Sequence, residues 1–515
     1  MSRAAIILRN ITSNWIGFAF NAVATLVLTP IVLRHLGAAG YGIWILSSSV
    51  IGYYGFLDLG FRAGVTQYLT RYLASGDSER ASECMSSAVA ALGAMGVFLM
   101  LLSIGAAWLV PHIFHLPPEL LRDAFWCVLI VGISAGLQFA LSPFTSIFAA
   151  TQRFDLANLI GIVTRLLTVA GVVLALRAGH GLIGLSVVTC AVSLVDYLAR
   201  WLVSRRLAVI KLSRAKVSLA SVKEISAFGV WNFLISLNAF VYQHVPNMLI
   251  GVFMPVAAIG YYALAVGLAR QITSALSPIG QVVYPAAAAL DVQGDRAGLE
   301  RLYHDGSRLL QLAMISVTVL AGFWAEDFYR LWVGEAYLSG AEYPSVAVLF
   351  QFMLVATATT FSSIGAQILM GAGHVRLVAV TLICGSVLNM CLSLTLIGPY
   401  GLLGVAFAAA LGGILIDLLT MPLLVQKYLR LPASSFLRRA WPRPLLVAVL
   451  QMAVALLIRQ LGQPANWFEL AAQGGLAAAA CAAIVVLCGA TPTERQRFIF
   501  QPWHRLVGGQ ATRAS

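Results

Sequence analysis

Long runs of apolar residues, separated by short polar segments, fill most of this 515-residue chain. Hydrophobic residues make up 60% of it and charged residues only 10%, and the mean hydropathy is +0.87. A soluble domain carries about 25% charged residues. The pattern therefore predicts an all-α polytopic membrane protein, because a helix satisfies its own backbone hydrogen bonds in lipid.

The apolar runs predict about fourteen transmembrane helices, since one span needs ~20 residues to cross the hydrocarbon of a bilayer. The first run is too long for the apolar region of a signal peptide, so it is predicted to be an uncleaved span. The predicted spans are 12–34, 41–62, 84–110, 121–149, 155–177, 181–203, 224–252, 257–288, 307–325, 345–370, 376–397, 401–425, 443–460 and 467–489.

The lysines and arginines predict the orientation of these spans. With the N-terminus in the cytoplasm, 26 of the 33 basic residues fall on the cytoplasmic side and 5 on the opposite side. Cytoplasmic loops of membrane proteins carry this excess. We therefore expect both termini in the cytoplasm. The net charge of +13 belongs to this topology, and no nucleic-acid partner is expected.

Three pairs of short motifs recur at nearly one spacing. Gly40-Tyr41 and Gly260-Tyr261 lie 220 residues apart, as do 181–184 and 401–404, and residues 76–77 and 294–295 lie 218 apart. The spacing predicts two six-helix lobes related by a pseudo-two-fold axis along the membrane normal, followed by two peripheral helices. The predicted divisions are an N-terminal lobe 1–208, a basic cytoplasmic loop 209–222, a C-terminal lobe 223–430, peripheral helices 431–490 and a cytoplasmic tail 491–515.

Enzyme signatures are missing from the sequence. It contains no Walker A loop, HExxH or GxSxG motif, and no predicted loop exceeds about twenty residues, too few for a catalytic domain. The seven cysteines form no CxxC pair. We therefore expect no cofactor and no metal, and a function located in the membrane.

Ionisable residues inside spans are functional candidates, because burying a charge in lipid is costly. Arg165 and Arg270 lie near the middle of the fifth and eighth predicted spans. Two guanidinium groups facing a shared cavity would bind a diphosphate through bidentate hydrogen bonds. Alternatively, each arginine pairs with a carboxylate or with helix carbonyls and serves packing alone.

Four further charged residues are candidates for gating or ion coupling. Asp58 and Arg62 have the spacing of a local ion pair, with a gate or cation site as the alternative. Asp196 and Asp417 lie at nearly equivalent positions of the repeat, in the cytoplasmic half of their spans. Pairing between lobes and solvation at a helix end are the alternatives to ion coupling there.

Polar uncharged residues supply further cavity candidates. His244 and Gln243 lie on the seventh span with Asn238, in a segment that Pro246 interrupts. With Tyr242 and Asn247 they would line a wall that accommodates sugar, or else they would form hydrogen bonds between helices. Asn21, like Asn14 two turns before it on the first span, is a candidate for the same reason.

Several segments resemble a known family, the polysaccharide-biosynthesis flippases. These Wzx-like exporters of O-antigen and exopolysaccharide belong to the multidrug/oligosaccharidyl-lipid/polysaccharide exporter superfamily. The resembling segments are LGAAGYGIWIL (36–46), LDLGF (57–61), YLTRYLASGD (68–77), PIGQVVYPA (278–286), QILMGAGHVRL (367–377) and LIGPYGLLGVA (396–406).

The resemblance implies movement of undecaprenyl-diphosphate-linked oligosaccharide from the cytoplasmic to the periplasmic leaflet by alternating access. It implies a lipid-linked oligosaccharide as substrate, the lipid bilayer of the bacterial inner membrane as surroundings, and polysaccharide polymerase and glycosyltransferases as candidate partners. In the related lipid II flippases, arginines of a cationic cavity are proposed to hold the diphosphate, which makes Arg165 and Arg270 candidates here. The alternatives are a cation-coupled multidrug antiporter of the same fold and a membrane polymerase or glycosyltransferase.

Overall fold

A computed structural model describes residues 3–52, 60–208, 210–360, 364–431 and 433–491 of the chain. Every regular element in these ranges is helical. Residues Ile414–Thr420 and Val485–Gly489 are π-helical. The α-helices are α1 (Arg3–Gly52), α2 (Phe61–Ala74), α3 (Ser78–Ile113), α4 (Leu121–Leu141), α5 (Pro143–Ala150), α6 (Phe154–Arg177), α7 (Gly181–Leu207), α8 (Leu219–Phe253), α9 (Ala257–Val292), α10 (Arg296–Phe323), α11 (Ala325–Val333), α12 (Val346–Thr360), α13 (Gly365–Gly371), α14 (Val375–Gly413), α15 (Met421–Leu429), α16 (Ala433–Ala440), α17 (Pro442–Arg459) and α18 (Trp467–Ile484).

The fold is that of an all-helical polytopic membrane protein, as the sequence predicts. Nine helical segments in the described part of the chain are long and apolar enough to cross a membrane. Two of them, 12–52 and 375–429, each cover two predicted spans and bend at Gly37 and Gly401, which have φ of +66° and +54°. The total of fourteen spans stays a prediction.

Two predicted boundaries differ from the structure. The predicted span 121–149 is divided between α4 and α5, because Pro143 cannot donate the backbone hydrogen bond that would continue α4. The predicted periplasmic loop 326–344 holds a helix, α11, whose first turn carries Glu326 and Asp327. Acidic side chains stabilise a helix N-terminus through its dipole. In the sequence, such a short acidic segment does not stand out from the polar residues around it.

The described chain divides into two compact units. The first comprises Met1–Leu264 and Ala379–Val405, and the second comprises Ala265–Val378 and Ala406–Ser515. The predicted lobe boundaries at 208 and 223 stay a prediction.

Repeated landmarks of the sequence share one local conformation. Gly76 and Gly294 have φ of +74° and +68°, a left-handed conformation that glycine adopts without strain. The aspartate after each glycine caps the next helix: Asp77 accepts a hydrogen bond from the backbone of Arg80 at 3.0 Å, and Asp295 from that of Gly298 at 2.8 Å. The helices α3 and α10 therefore begin in the same way.

A further pair of equivalent turns is visible only in the structure. Gln152 and Gly373, 221 residues apart, have φ of +53° and +84°. The next residue in each case, Arg153 or His374, donates its backbone N–H to a carbonyl five residues earlier at 2.8 Å. The turns after α5 and α13 thus repeat each other without a shared sequence motif, because backbone geometry tolerates different side chains there.

Small residues bring α3 and α4 into close contact in the first unit. A methyl group added to Gly136 would lie 2.6 Å from the carbonyl oxygen of Gly96, and one added to Gly96 would clash with the carbonyl oxygen of Gly136. Backbones approach this closely only where neither residue has a side chain, which is a common basis of helix packing in membranes.

We expect Gly96→Val to destabilise the folded chain by about 1–3 kcal/mol, the usual cost of overpacking a close contact. Thermal unfolding in detergent would measure the change. Gly93→Ala is the matched control on the same helix, because its added methyl would meet nothing within 4 Å. Equal stability of the two variants would show that the α3–α4 contact is looser than described.

The basic segment before α8 is held on α3 by a row of serines. Ser82, Ser86 and Ser87 accept backbone hydrogen bonds from Lys211, Ser213 and Ser218 at 3.1, 3.2 and 3.0 Å. Because this segment lacks helical hydrogen bonds of its own over most of its length, the serine hydroxyls satisfy groups that would otherwise be unpaired.

Candidate functional site

The intramembrane arginine of the first unit is bound by a hydroxyl. Arg165 lies in the middle of α6, and its Nη2 donates a hydrogen bond to Thr25 Oγ1 of α1 at 2.8 Å. Its Nε is buried without a hydrogen-bond partner among the residues the structure describes. No carboxylate of the described ranges lies within ion-pair distance of it, so its positive charge is not neutralised there.

The carboxylate that contacts Thr164, the residue before Arg165, is already paired. Asp196 of α7 accepts two hydrogen bonds from Arg200, at 2.6 Å from Nε and 3.2 Å from Nη2. Thr164 of α6 donates a third at 3.1 Å. Arg200 therefore neutralises Asp196 from the same helix, and the partner is local rather than on another lobe. The i,i+4 spacing of the pair is the sequence signal that identifies it.

The asparagines of α1 have hydrogen-bond partners inside the first unit. Asn14 accepts a bond from Asn158 of α6 at 2.7 Å, which links the two helices. Asn21 donates to the carbonyl of Gly17 on its own helix at 3.0 Å. The Asn14 pair, the Arg165–Thr25 bond and the α6–α7 carboxylate site form a polar strip along α6.

Two of the polar candidates of α8 form hydrogen bonds to other helices. Asn247 is buried and donates to Ser49 of α1 at 2.9 Å, and Asn238 is hydrogen-bonded to Ser386 of α14. The ring of His244 packs on Phe240, with centroids 4.4 Å apart. The exposed side chains are those of Tyr242 and Gln243. The sugar-accommodating wall stays a prediction, with these two residues as its accessible part.

The structure describes three of the remaining four predicted residues. Asp58 falls outside the described residues. Arg62 lies over the ring of Phe139, 5.3 Å from its centroid. Arg270 is half-buried on α9 in the second unit, and Asp417 lies in the π-helical segment after α14. The shared cavity of Arg165 and Arg270 stays a prediction.

The second unit contains a buried ion cluster that the sequence did not predict. Asp327 of α11 is fully buried and contacts Arg459 of α17 at 2.8 Å and Arg330 at 3.1 Å. Arg459 also donates to the carbonyl of Phe323 at 2.9 Å. Asp327 and Arg330 lie between predicted spans and Arg459 lies at the end of one, and the pairing of Asp327 with Arg459 across 132 residues leaves no local signal.

Comparison with known proteins shows the family. Residues 31–342, more than half of the chain, match the family model described as polysaccharide biosynthesis protein. The chain belongs to this polysaccharide biosynthesis family. Its relatives include EpsK of Bacillus subtilis, described as an uncharacterized membrane protein, which is 22% identical over 500 residues that cover 95% of this chain and 96% of EpsK.

Solved structures show the fold of this family member. The lipid II flippase MurJ in its inward closed conformation matches with a TM-score of 0.69 at 15% identity, over 93% of this chain and 98% of MurJ. An inward-facing multidrug resistance MATE transporter matches with a TM-score of 0.61 at 14% identity, over 81% of this chain and 99% of that one. This polysaccharide biosynthesis protein therefore shares its fold with MurJ and with that MATE transporter.

Proposed function

We propose that this chain moves undecaprenyl-diphosphate-linked oligosaccharide from the cytoplasmic to the periplasmic leaflet by alternating access. The observation that carries the proposal is Arg165, an intramembrane cation bound to Thr25 and to no carboxylate of the described residues. A central arginine costs ~2.5–3.5 kcal/mol on insertion scales, so its retention favours a functional role. Membership of the polysaccharide biosynthesis family supports a glycan as part of the proposed substrate.

The chemistry of the cargo matches this arginine. A lipid diphosphate is anionic, and a guanidinium binds phosphate oxygens through two parallel hydrogen bonds. Its lipid tail prefers the bilayer while the charged head cannot cross it unaided. A route lined by cations would move the head while the tail stays in lipid. The similar fold of MurJ, named a lipid II flippase, supports transport of a lipid-linked head.

The multidrug antiporter is the second candidate, favoured by the fold shared with MATE transporters. A transporter that exports cations needs carboxylates available inside the membrane. The first span contains no Asp or Glu, and Asp196 is neutralised by Arg200. These charges favour an anionic cargo.

The orientation is part of the proposal. We place both termini in the cytoplasm and the chain in the inner membrane. The orientation is supported by the basic residues, of which 26 fall on the predicted cytoplasmic side and 5 on the opposite side. Glycosyltransferases and polysaccharide polymerase are its proposed partners. Glycosyltransferases build the lipid-linked glycan before its transfer, and the polymerase acts on it afterwards.

Deletion of the gene, followed by leaflet-resolved measurement of the lipid-linked glycan, tests the function. We expect the glycan to accumulate in the cytoplasmic leaflet and a plasmid copy to restore its delivery. Normal periplasmic delivery in the deletion strain would refute the flippase. Drug hypersensitivity with normal delivery would identify the antiporter instead, and loss of the glycan from both leaflets would indicate an enzyme of its synthesis.

A further inference from the structure

A basic cavity lies in the second unit. Its volume is about 680 Å³, and it opens beside the first turns of α10, next to α16 and the start of α17. Ala297 and His304 line it together with six charged residues, which are Glu300, Arg301, Asp305, Arg308, Arg439 and Arg443. The α10 residues recur every three or four positions, which places them on one face of the helix.

The lining charges do not cancel. Four arginines face two carboxylates, so the cavity carries a net charge of about +2 when all six groups are ionised. Glu300 accepts a hydrogen bond from Arg439 at 3.0 Å, and Asp305 lies 3.5 Å from Arg308. Each carboxylate is thus engaged by an arginine, and two guanidinium charges remain for an anion.

One of these arginines has an unused donor. Nη1 of Arg443 is buried and lacks a hydrogen-bond partner among the described residues. A buried charged donor left unpaired is costly, and an anion in the cavity would satisfy it. This observation is independent of the net charge and points to the same kind of ligand.

The walls of the cavity are held in place by packing. Tyr303 of α10 and Phe436 of α16 are both fully buried, and their rings stack with centroids 5.1 Å apart. Arg308, five residues further along α10, is only 7% exposed. Because stacked buried rings fix α16 against α10, the arginines from both helices are positioned before a ligand arrives.

We propose that this cavity binds a phosphate or diphosphate group on the membrane face where α10 begins, the predicted cytoplasmic side. Guanidinium groups on facing helices hold such oxygens through bidentate, charge-assisted hydrogen bonds. The group belongs either to the headgroup of an anionic lipid in that leaflet or to a soluble phosphate compound. The site requires no contribution from Arg165, so it is independent of the proposed transport function.

Calorimetry on the purified full chain in neutral nanodiscs tests the site, with inorganic diphosphate as the probe. We expect Arg439→Gln combined with Arg443→Gln to weaken binding about tenfold or more, as loss of charge-assisted hydrogen bonds does. Glu300→Gln, which removes a negative charge, should strengthen binding. Arg296→Gln is the matched control, an exposed arginine of the same helix outside the cavity, and it should change nothing.

Native mass spectrometry separates the two sources. In nanodiscs that contain phosphatidylglycerol, retained lipid that disappears in the Arg439 and Arg443 variant supports a headgroup ligand. Diphosphate binding without lipid retention supports a soluble ligand. If the wild-type chain binds neither probe, or if the double variant binds both as the wild type does, the site is refuted. The Glu300→Gln result guards against misfolding, since a merely damaged chain would not bind more tightly.

Discussion

Arg165→Ala is expected to reduce transport of the lipid-linked glycan by about 10- to 100-fold. A charge-assisted hydrogen bond contributes ~1.5–3 kcal/mol, and each 1.4 kcal/mol is tenfold. The variant should insert normally, because removing a central arginine lowers the cost of placing α6 in lipid. The leaflet-resolved glycan assay measures the rate, and membrane fractionation measures insertion.

Two controls sharpen this result. Arg177→Ala removes an arginine from the exposed end of the same helix and should leave transport unchanged. Thr25→Val removes the hydroxyl that Arg165 binds but keeps the charge, so it should affect transport less than Arg165→Ala. Normal transport by Arg165→Ala would remove its proposed role in holding the cargo, and the same assay on Arg270→Ala tests the second arginine.

Asp327→Ala is expected to lower the free energy of unfolding by about 3–5 kcal/mol, because it leaves two arginines without their buried partner. Asp327 is fully buried between Arg459 and Arg330, and it links α11 to α17. Thermal unfolding of the purified chain in detergent, followed by fluorescence, measures the loss.

The neighbouring Glu326 supplies the control for this cluster. Its side chain is 56% exposed and pairs with Arg330 at 3.1 Å. An exposed ion pair contributes about 0–1 kcal/mol, so Glu326→Ala should change stability little. If both variants unfold at the same temperature, the buried carboxylate of Asp327 stabilises the fold no more than the exposed carboxylate of Glu326 does.

The recurring Gly-Asp motif shows when a shared conformation can be recognised from the sequence. Asp77 and Asp295 were recognisable as equivalent because Gly-Asp has a particular local use, a left-handed glycine before a capping carboxylate. The turns at Gln152 and Gly373 are equally alike, yet their sequences differ. Two turns with the same backbone conformation can be recognised from their sequences only where that conformation requires one residue type.

The sequence by itself determined that the chain crosses a membrane as helices, since apolar composition and the hydrogen-bonding needs of a backbone in lipid permit little else. It also identified Arg165 and Asp196 as charged residues inside predicted spans, where burying a charge is costly. Only the tertiary structure decided that Arg165 binds Thr25, 140 residues away. It alone also decided that four arginines of α10, α16 and α17 surround one cavity. The reason is that such partners depend on which helix faces meet, and distant side-chain packing sets those faces rather than any local pattern.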